Sequence, residues 1–339
     1  MVKQIAKAQS ICLELMKEVR DICEQNQLTY WIDGGTLLGA KRHNGFIPWD
    51  DDVDICLPIP DYFKLLDHLQ EKITHSDNRM LYFHGSDFPM WFDHYASTEY
   101  LCDGIFPVRV DLIPVIYWSS DKSKFSEQES LRQIANLYIR GYLKNSSKVL
   151  PVHKEYLPKN FKNQVDERRK FLSEFLTLNS EIYNEEKNDS NAEVNYIFSD
   201  SYVKSERRGY AQSTIFPLKK RTDFENEVFS QPNNRDVYLE TLYGVHHMSL
   251  PPDDQKISHQ LFLKKNRRIS AIELQKMIID IYIVRFQCYD LSKNQKKHKR
   301  YLLRLKHFSK LSLRWFFQGK WLMLYSLACY YWAYSKNKN

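Results

Sequence analysis

The sequence lacks the cysteine pattern that would place it in a familiar class. Its six cysteines are scattered along 339 residues, and no two of them form a C-x-x-C pair. A dense cysteine framework marks small disulfide-bonded secreted domains, and closely spaced pairs mark structural zinc sites. We therefore expect reduced thiols, as in a cytoplasmic protein.

Long apolar runs are also missing. Arg314 and Lys320 interrupt the aromatic stretch near the end of the chain, so no run there is long enough to cross a bilayer. We see no N-terminal signal peptide, because Ile5, Ala8, Cys12 and later apolar residues recur at three- and four-residue steps. That spacing is typical of an amphipathic helix packed on a core.

The net charge of +7 is concentrated after about residue 264, in the basic runs 264–268 and 296–300. A solvated basic face explains such runs, and so does contact with anionic lipid or a polyanionic acceptor. No helix-turn-helix, RNP or zinc-finger pattern accompanies the charge, so we expect no nucleic acid partner. The aromatic tail, 311–334, fits either an interfacial helix on a membrane or a helix buried against the protein.

The order of candidate elements predicts an α+β fold. A leading helix is followed by short β-rich runs at 28–32, 52–57, 80–83, 91–95 and 108–115, with helical patterns between some of them. This order predicts a small mixed sheet with packed helices. We expect a catalytic domain over 1–260 with a helical insertion around 122–187, then a basic, aromatic-rich helical region over 261–339.

One short span, residues 33–54, carries the chemistry. A glycine turn at Gly34 and Gly35 lets backbone amides approach phosphate, and Thr36 begins a helix whose positive end favours anions. Arg42 follows about two turns later and could grip a phosphate through two nitrogens. These residues predict a phosphate-binding loop.

The carboxylates of the same span predict a metal site. Side chains alternate across a strand, so Asp52 and Asp54 would point to one face while Val53 faces the core. Asp111, flanked by apolar residues on a separate strand, could supply a third carboxylate and act as the general base. Carboxylates so placed can hold Mg²⁺ or Mn²⁺ beside a substrate phosphate.

Simpler interpretations exist for each part alone. A Gly-Gly pair is usually just a turn, and an Asp cluster is often a solvated turn or a Ca²⁺ loop. An EF-hand beginning at Asp50 is excluded, because Ile55 stands where glycine is required and Asp61 where the bidentate Glu should be. The combination of glycine turn, cation, Asp-x-Asp and a distant Asp favours phosphoryl transfer.

The run G-G-T-L-L-G-A-x-R-H-x-G-F-I-P-W-D-D-D-x-D-I over residues 34–55 resembles the signature of the LicD family. That family includes bacterial phosphocholine transferases and is related to fukutin-type proteins, with a nucleotidyltransferase-like fold. Later runs at 215–217, 224–226, 238–239 and 242–244 are similar to further blocks of the family. The resemblance covers roughly 28–260.

The resemblance implies an Mg²⁺-dependent transferase that moves phosphocholine from CDP-choline onto a sugar hydroxyl. The acceptor would be a cell-surface glycan or its lipid-linked precursor, such as lipopolysaccharide, teichoic acid or capsule. From the cysteine pattern we expect a cytoplasmic protein, and if the tail is an interfacial helix it would contact the inner face of the cell membrane peripherally. Metal and catalytic roles fall on Asp52, Asp54 and Asp111, and substrate contacts on Gly34, Gly35, Thr36, Arg42, His43 and His259.

The identity of the alcohol stays open at this point. Ribitol, glycerol or another CDP-activated alcohol would suit the same motif, and a non-catalytic scaffold for glycan assembly is a third hypothesis. An aromatic cage would favour the quaternary ammonium of choline. Candidates for such a cage are Trp49, Trp91, Tyr95 and Tyr100.

Overall fold

The computed structural model describes most of the first 250 residues and shorter parts of the remainder. The described residues are 2–82, 92–102, 105–140, 149–156, 165–196, 209–218, 221–253, 256, 263–266, 269–278, 280–281, 309–317 and 324.

Ten β-strands make up the described sheets. Their bounds are β1 Trp31–Ile32, β2 Val53–Pro58, β3 Arg79–Tyr82, β4 Asp93–Cys102, β5 Phe106–Tyr117, β6 Glu193–Tyr196, β7 Tyr210–Ala211, β8 Arg221–Phe224, β9 Glu227–Ser230 and β10 Leu263–Lys265. Strands β1 to β7 and β10 form one mixed sheet, and β8 pairs with β9 in a separate hairpin.

The centre of the large sheet is the strand order β1-β2-β5-β4. The β2 and β5 strands run parallel, while β1 pairs with β2 and β4 pairs with β5 in antiparallel fashion. A bulge in β4 between Ser97 and Leu101 divides its outer edge. Strand β3 pairs with the first half of that edge and β10 with the second half.

Seven labelled α-helices surround the sheet within the described part of the chain. They are α1 Val2–Gln25, α2 Gly34–His43, α3 Ile59–Thr74, α4 Lys122–Arg140, α5 Val165–Glu186, α6 Gln212–Ile215 and α7 Arg235–Tyr243. Helices α4 and α5 and a 3₁₀ turn at Pro151–Tyr156 lie within residues 122–187, where the sequence predicts a helical insertion. The predicted α+β fold class is confirmed.

Helix α1 shows how the sequence pattern becomes packing. Its residues at three- and four-residue steps, Cys12, Leu15, Val19 and Cys23, are fully buried in the main core. Val53 and Leu112 of the central strands belong to the same core. Burying side chains of this size contributes about 1.5–3 kcal/mol each, so this face of α1 is a principal source of stability.

A partly buried network of charged and polar side chains also connects α1 to the sheet. Glu18 of α1 accepts hydrogen bonds from Arg79 Nη2 of β3 at 2.6 Å and from the Tyr95 hydroxyl of β4 at 2.6 Å. Burial opposes ionisation of Glu18, but these donors lower the pKa of its carboxyl below the ordinary value of 4.5. Tyr95 therefore lies in the core on the α1 side, and it is not available for an aromatic cage.

The region after residue 260 does not begin as a helix. Leu263–Lys265 forms β10, which pairs with Tyr100–Cys102 of β4 and so extends the same sheet. The sequence predicts a helix there, but the half of the β4 edge beyond the bulge offers unpaired backbone groups, and residues 263–265 pair with them as a strand. The boundary placed at residue 260 stays a prediction.

Helical residues 271–278 and 309–317 follow β10. They supply Leu274, Met277, Leu311 and Trp315 to a second core cluster. The same cluster includes Met80 and Tyr82 of β3 and Ala96 of β4. Within the described residues, no helix has the length and apolar character needed to traverse a bilayer.

Candidate functional site

Three neighbouring strands bring charged residues into one row. In the parallel ladder Asp54 of β2 lies directly opposite Asp111 of β5, and in the antiparallel ladder Asp111 lies opposite His94 of β4. Residues directly opposite each other point to the same face of a sheet. Asp111, predicted as a third carboxylate on a separate strand, therefore lies beside Asp54 on the neighbouring strand.

The glycine turn serves the carboxylates. A Cβ on Gly34 would lie 2.5 Å from Asp54 Oδ2, and a Cβ on Gly35 would lie 2.6 Å from Asp50 Oδ2. Gly34 also has φ +53°, a conformation that L side chains rarely adopt. The absence of Cβ atoms at Gly34 and Gly35, predicted to let phosphate approach, makes room in the structure for Asp50 and Asp54.

The segment before β2 concentrates negative charge. Carboxylate oxygens of Asp50, Asp51 and Asp52 lie within 4.8 Å of one another, and the described residues contain no other such group of three His, Cys, Asp or Glu side chains. Burial, followed by the charge of Asp52, raises the pKa values of Asp50 and Asp54. These carboxylates repel one another, and a bound cation would relieve that repulsion.

Asp111 has the opposite electrostatic environment. His94 Nδ1 lies 2.6 Å and Arg109 Nε 2.8 Å from its Oδ1 atom. Burial opposes ionisation, but Arg109 and His94 together lower the pKa of Asp111 to about 2. So weak a base is poorly suited to accept a proton at neutral pH, and this environment suits a charge-holding role better than the general-base role.

Buried polar contacts hold the start of α2 against β2. Asp54 N donates to Thr36 Oγ1 at 2.9 Å, and Asp33 N donates to Asp54 O at 3.0 Å. The Asp33 carboxylate, itself buried, accepts from the Tyr238 hydroxyl of α7 at 2.7 Å. Thr36 and Asp33 thus hold the backbone of Asp54 in place through hydrogen bonds.

The cations at the end of α2 face the α7 region. Lys41 Nζ lies 2.7 Å from Asp236 Oδ1, and Arg42 Nη1 donates to the carbonyls of His247 and Ser249 at 3.3 and 3.2 Å. Arg42 Nε also donates to His43 Nε2 at 3.0 Å. Arg42 and His43, both predicted substrate contacts, are therefore hydrogen-bonded to each other, and Arg42 also contacts the loop after α7.

The loop between α2 and the Asp cluster is anchored from a distant hairpin. Glu225, in the β8–β9 turn, accepts from Phe46 N at 3.0 Å, and Glu225 N donates to Asn44 O at 3.0 Å. A Cβ on Gly45 would lie 2.0 Å from Glu225 Oε1. The sequence alone predicts no role for residues 224–226. In the structure they stabilise the loop that leads to Asp50.

His94, Arg109, Asp33 and Glu225 were missed as site residues. Arg109 could have been found, since it stands two residues before Asp111 on the same strand and so shares its face. His94 and Glu225 depend on long-range pairing that no local pattern reveals. His259 and Trp91 lie outside the described residues.

The mixed sheet of this α+β fold thus places Asp54 and Asp111 on adjacent parallel strands, beside the cluster of Asp50, Asp51 and Asp52. Residues 27–110 match the model of the LicD/FKTN/FKRP nucleotidyltransferase domain, so the chain carries a domain of the LicD family. The match begins just before β1 and ends one residue before Asp111.

Individual relatives are similar to this chain over short segments. The lipopolysaccharide cholinephosphotransferase LicD of Haemophilus influenzae is 40% identical over 63 residues, 19% of this chain and 24% of the relative. The ribitol 5-phosphate transferase FKRP of Homo sapiens is 43% identical over 54 residues, 15% of this chain and 11% of the relative. Uncharacterized protein RP689 of Rickettsia prowazekii is 55% identical over 42 residues, 12% of this chain and 16% of the relative.

Proposed function

We propose that this protein transfers a phospho-alcohol from a CDP-alcohol donor to a sugar hydroxyl, with phosphocholine from CDP-choline as the cargo. The acceptor would be a cell-surface glycan, such as lipopolysaccharide, teichoic acid or capsule, or its lipid-linked precursor. The observation that carries the proposal is the direct opposition of Asp54 and Asp111, with Asp52 two residues before Asp54. The similarity to two phospho-alcohol transferases supports the same reaction.

The donor set fits a divalent cation of the Mg²⁺ or Mn²⁺ type. Such ions prefer carboxylate oxygens. Burial and the charge of Asp52 raise the pKa values of Asp50 and Asp54, and a bound cation would favour the ionised forms of both carboxyls. We propose Asp52, Asp54 and Asp111 as the ligands. When bound, the ion would neutralise the charge of the diphosphate and polarise its oxygens.

The proposed reaction is a single displacement at phosphorus. The acceptor oxygen forms a bond to the phosphorus that carries the alcohol, and the bond from that phosphorus to the bridging oxygen breaks. CMP leaves with the bonding electron pair, and the hydroxyl proton passes to water. Contacts to the donor are proposed for Gly34, Gly35, Thr36, Arg42, His43 and His259.

A specific contact favours choline as the cargo. The ring of Trp49, the residue before the Asp cluster, is half-buried and has Lys256 Nζ 5.4 Å from its centre. An aromatic face that accepts an ammonium group is the element that recognition of a quaternary ammonium needs. Ribitol or glycerol phosphate is the alternative cargo, supported by the similarity to FKRP.

We further propose that the protein works at an anionic membrane surface, where a lipid-linked acceptor would be found. Helical residues 309–317 bury Trp315 in the second core cluster but expose Leu313, Phe316 and Phe317, the last by 82%. Lys310 and Arg314 lie on the same segment. Exposed aromatic side chains beside basic ones suit a peripheral contact with anionic headgroups.

The test is a panel assay with the full chain. Purified protein is incubated with Mg²⁺ or Mn²⁺ and with CDP-choline, CDP-ribitol or CDP-glycerol, with and without candidate glycan acceptors, and CMP release is measured. We expect release that is fastest with CDP-choline and is abolished by Asp54→Asn, while Asp67→Asn on the exposed side of α3 serves as the matched control.

The possible outcomes separate the hypotheses. A preference for CDP-ribitol or CDP-glycerol would replace the cargo but keep the reaction. The absence of release above background with every donor would support the non-catalytic scaffold instead. The complete set of Asp52, Asp54 and Asp111 argues against such a scaffold, because a non-catalytic protein would not need it.

A further inference from the structure

His94 occupies a place in the site to which no role is yet attached. It lies opposite Asp111 in the β4–β5 ladder, and its Nδ1 atom is 2.6 Å from Asp111 Oδ1. The two side chains are buried, with 5% and 7% of their residue surfaces exposed. The contact is therefore a short hydrogen bond largely shielded from water.

The donors to Asp111 converge on one of its two oxygens. His94 Nδ1 and Arg109 Nε both reach Oδ1, at 2.6 and 2.8 Å. Among the residues that the structure describes, no further side chain donates to Asp111, so Oδ2 is the oxygen available to a cation. A carboxylate held through one oxygen has a fixed plane, and that plane sets the direction of the other oxygen.

The imidazole is itself held in place. The Tyr82 ring of β3 stacks on the His94 ring, with centroids 4.5 Å apart and planes inclined by 26°. Tyr82 lies opposite His94 in the β3–β4 ladder and is buried in the second core cluster with Leu274 and Trp315. The orientation of the imidazole thus depends on core packing rather than on a mobile surface contact.

We propose that His94 is a positioning residue that orients Asp111 for the divalent cation. The inference rests on the proposed function, in which Asp111 is a metal ligand. His94 does not touch the cation or the substrate; it acts through the Asp111 carboxylate, together with Arg109. Partners of this kind hold a metal ligand in its binding orientation, and their loss weakens metal affinity.

Two substitutions of His94, by Asn and by Gln, test this role because their side-chain amides extend to different distances from the backbone. In His94→Asn the amide nitrogen falls near the position of Nδ1 and can still donate to Asp111, whereas in His94→Gln it extends towards the position of Nε2. Mn²⁺ binding to the full chain is measured by calorimetry. We expect His94→Asn to keep the wild-type affinity and His94→Gln to bind about 10- to 100-fold more weakly.

Controls separate positioning from folding. His153 is another buried histidine, and its Nδ1 contacts Ser130 far along the chain from the site, so His153→Gln should leave Mn²⁺ affinity unchanged. Thermal unfolding of each variant reports on the fold. Arg109→Gln removes the other donor to Oδ1 and is expected to weaken Mn²⁺ binding as well.

The outcomes distinguish this inference from the proposed function. Wild-type Mn²⁺ affinity in His94→Gln, or an equal loss in the Asn and Gln variants, would overturn the positioning role. If the protein binds Mn²⁺ with the expected ranking of variants but releases no CMP from any donor, the transferase proposal fails and the role of His94 stands. If CMP is released, saturating Mn²⁺ should restore the rate of His94→Gln.

Discussion

Replacing Gly34 by alanine tests whether the glycine turn exists to make room for a carboxylate. The added Cβ would lie 2.5 Å from Asp54 Oδ2. Real Cβ contacts are essentially never shorter than 3.0 Å, so the oxygen must move by about 0.5 Å, and by about 0.9 Å to reach an ordinary contact of 3.4 Å. Metal ligands need to be held within about 0.5 Å of their binding geometry.

Two effects are expected from Gly34→Ala. The φ of +53° destabilises an alanine by about 1–2 kcal/mol. The displaced Asp54 oxygen should weaken Mn²⁺ binding by about 10- to 100-fold, the range seen when the support of a ligand is lost. Chemical denaturation measures the first effect, and calorimetric titration with Mn²⁺ measures the second.

Gly244 provides the matched control. It has φ +88°, but a Cβ added there would meet nothing within 4 Å. Gly244→Ala should therefore lower stability by about 1–3 kcal/mol and leave Mn²⁺ affinity unchanged. If Gly34→Ala is destabilised but binds Mn²⁺ like the wild type, the proposed reason for the glycine is refuted.

Three further changes test the supports of the site, the fold and the membrane contact. Glu225→Ala removes the acceptor for Phe46 N and should lower the free energy of unfolding by about 1 kcal/mol, whereas Glu225→Gln should restore most of it. Glu18→Gln should cost about 2 kcal/mol at pH 7. Because the pKa of Glu18 is lowered on folding, its contribution is present above pH 4.5 and is lost as the pH falls through the folded value. The gap between Glu18→Gln and the wild type in denaturation curves should therefore narrow in acid; a constant gap would argue against the network of charged and polar side chains. Phe317→Ser should reduce sedimentation with anionic lipid vesicles while Val152→Ser, another exposed apolar position, should not; equal binding of both variants would contradict the membrane proposal.

The local elements near the site could be predicted from sequence because their signals are short in range. Asp52 and Asp54 are separated by one apolar residue, and that spacing alone indicates a half-buried strand. The glycine turn and the helix that follows it are equally local. In the structure the helix begins two residues earlier, at Gly34, and the strand is shifted by one residue to Val53–Pro58, so that Asp52 lies immediately before it.

What could not be predicted depends on partners distant in sequence. His94 and Asp111 are opposite each other only because β4 pairs with β5 in one register, and a shift of one residue would turn His94 to the other face. Glu225 reaches Phe46 across 179 residues. The contact between the space at Gly34 and Asp54 could not be predicted for the same reason, since that carboxylate belongs to another element.

The strand at Leu263–Lys265 illustrates a different limit. Its composition does not favour a strand over a helix, and the outcome is decided by the open half-edge that the β4 bulge leaves beyond Ser97. Propensity is a weak prior where a sheet edge offers unpaired backbone groups. The basic run that begins at residue 264 is therefore in part a sheet edge.

In the proposed reaction the phosphorus next to the alcohol is attacked, so that CMP leaves. Nucleotidyl transfer, in which the phosphorus next to cytidine is attacked, would use the same carboxylates. The most direct measurement is turnover of CDP-choline in H₂¹⁸O without an acceptor, so that water replaces the sugar hydroxyl, followed by mass spectrometry of both products. Attack at the phosphorus next to choline predicts ¹⁸O in phosphocholine and none in CMP; ¹⁸O in CMP with unlabelled phosphocholine would contradict the proposed reaction.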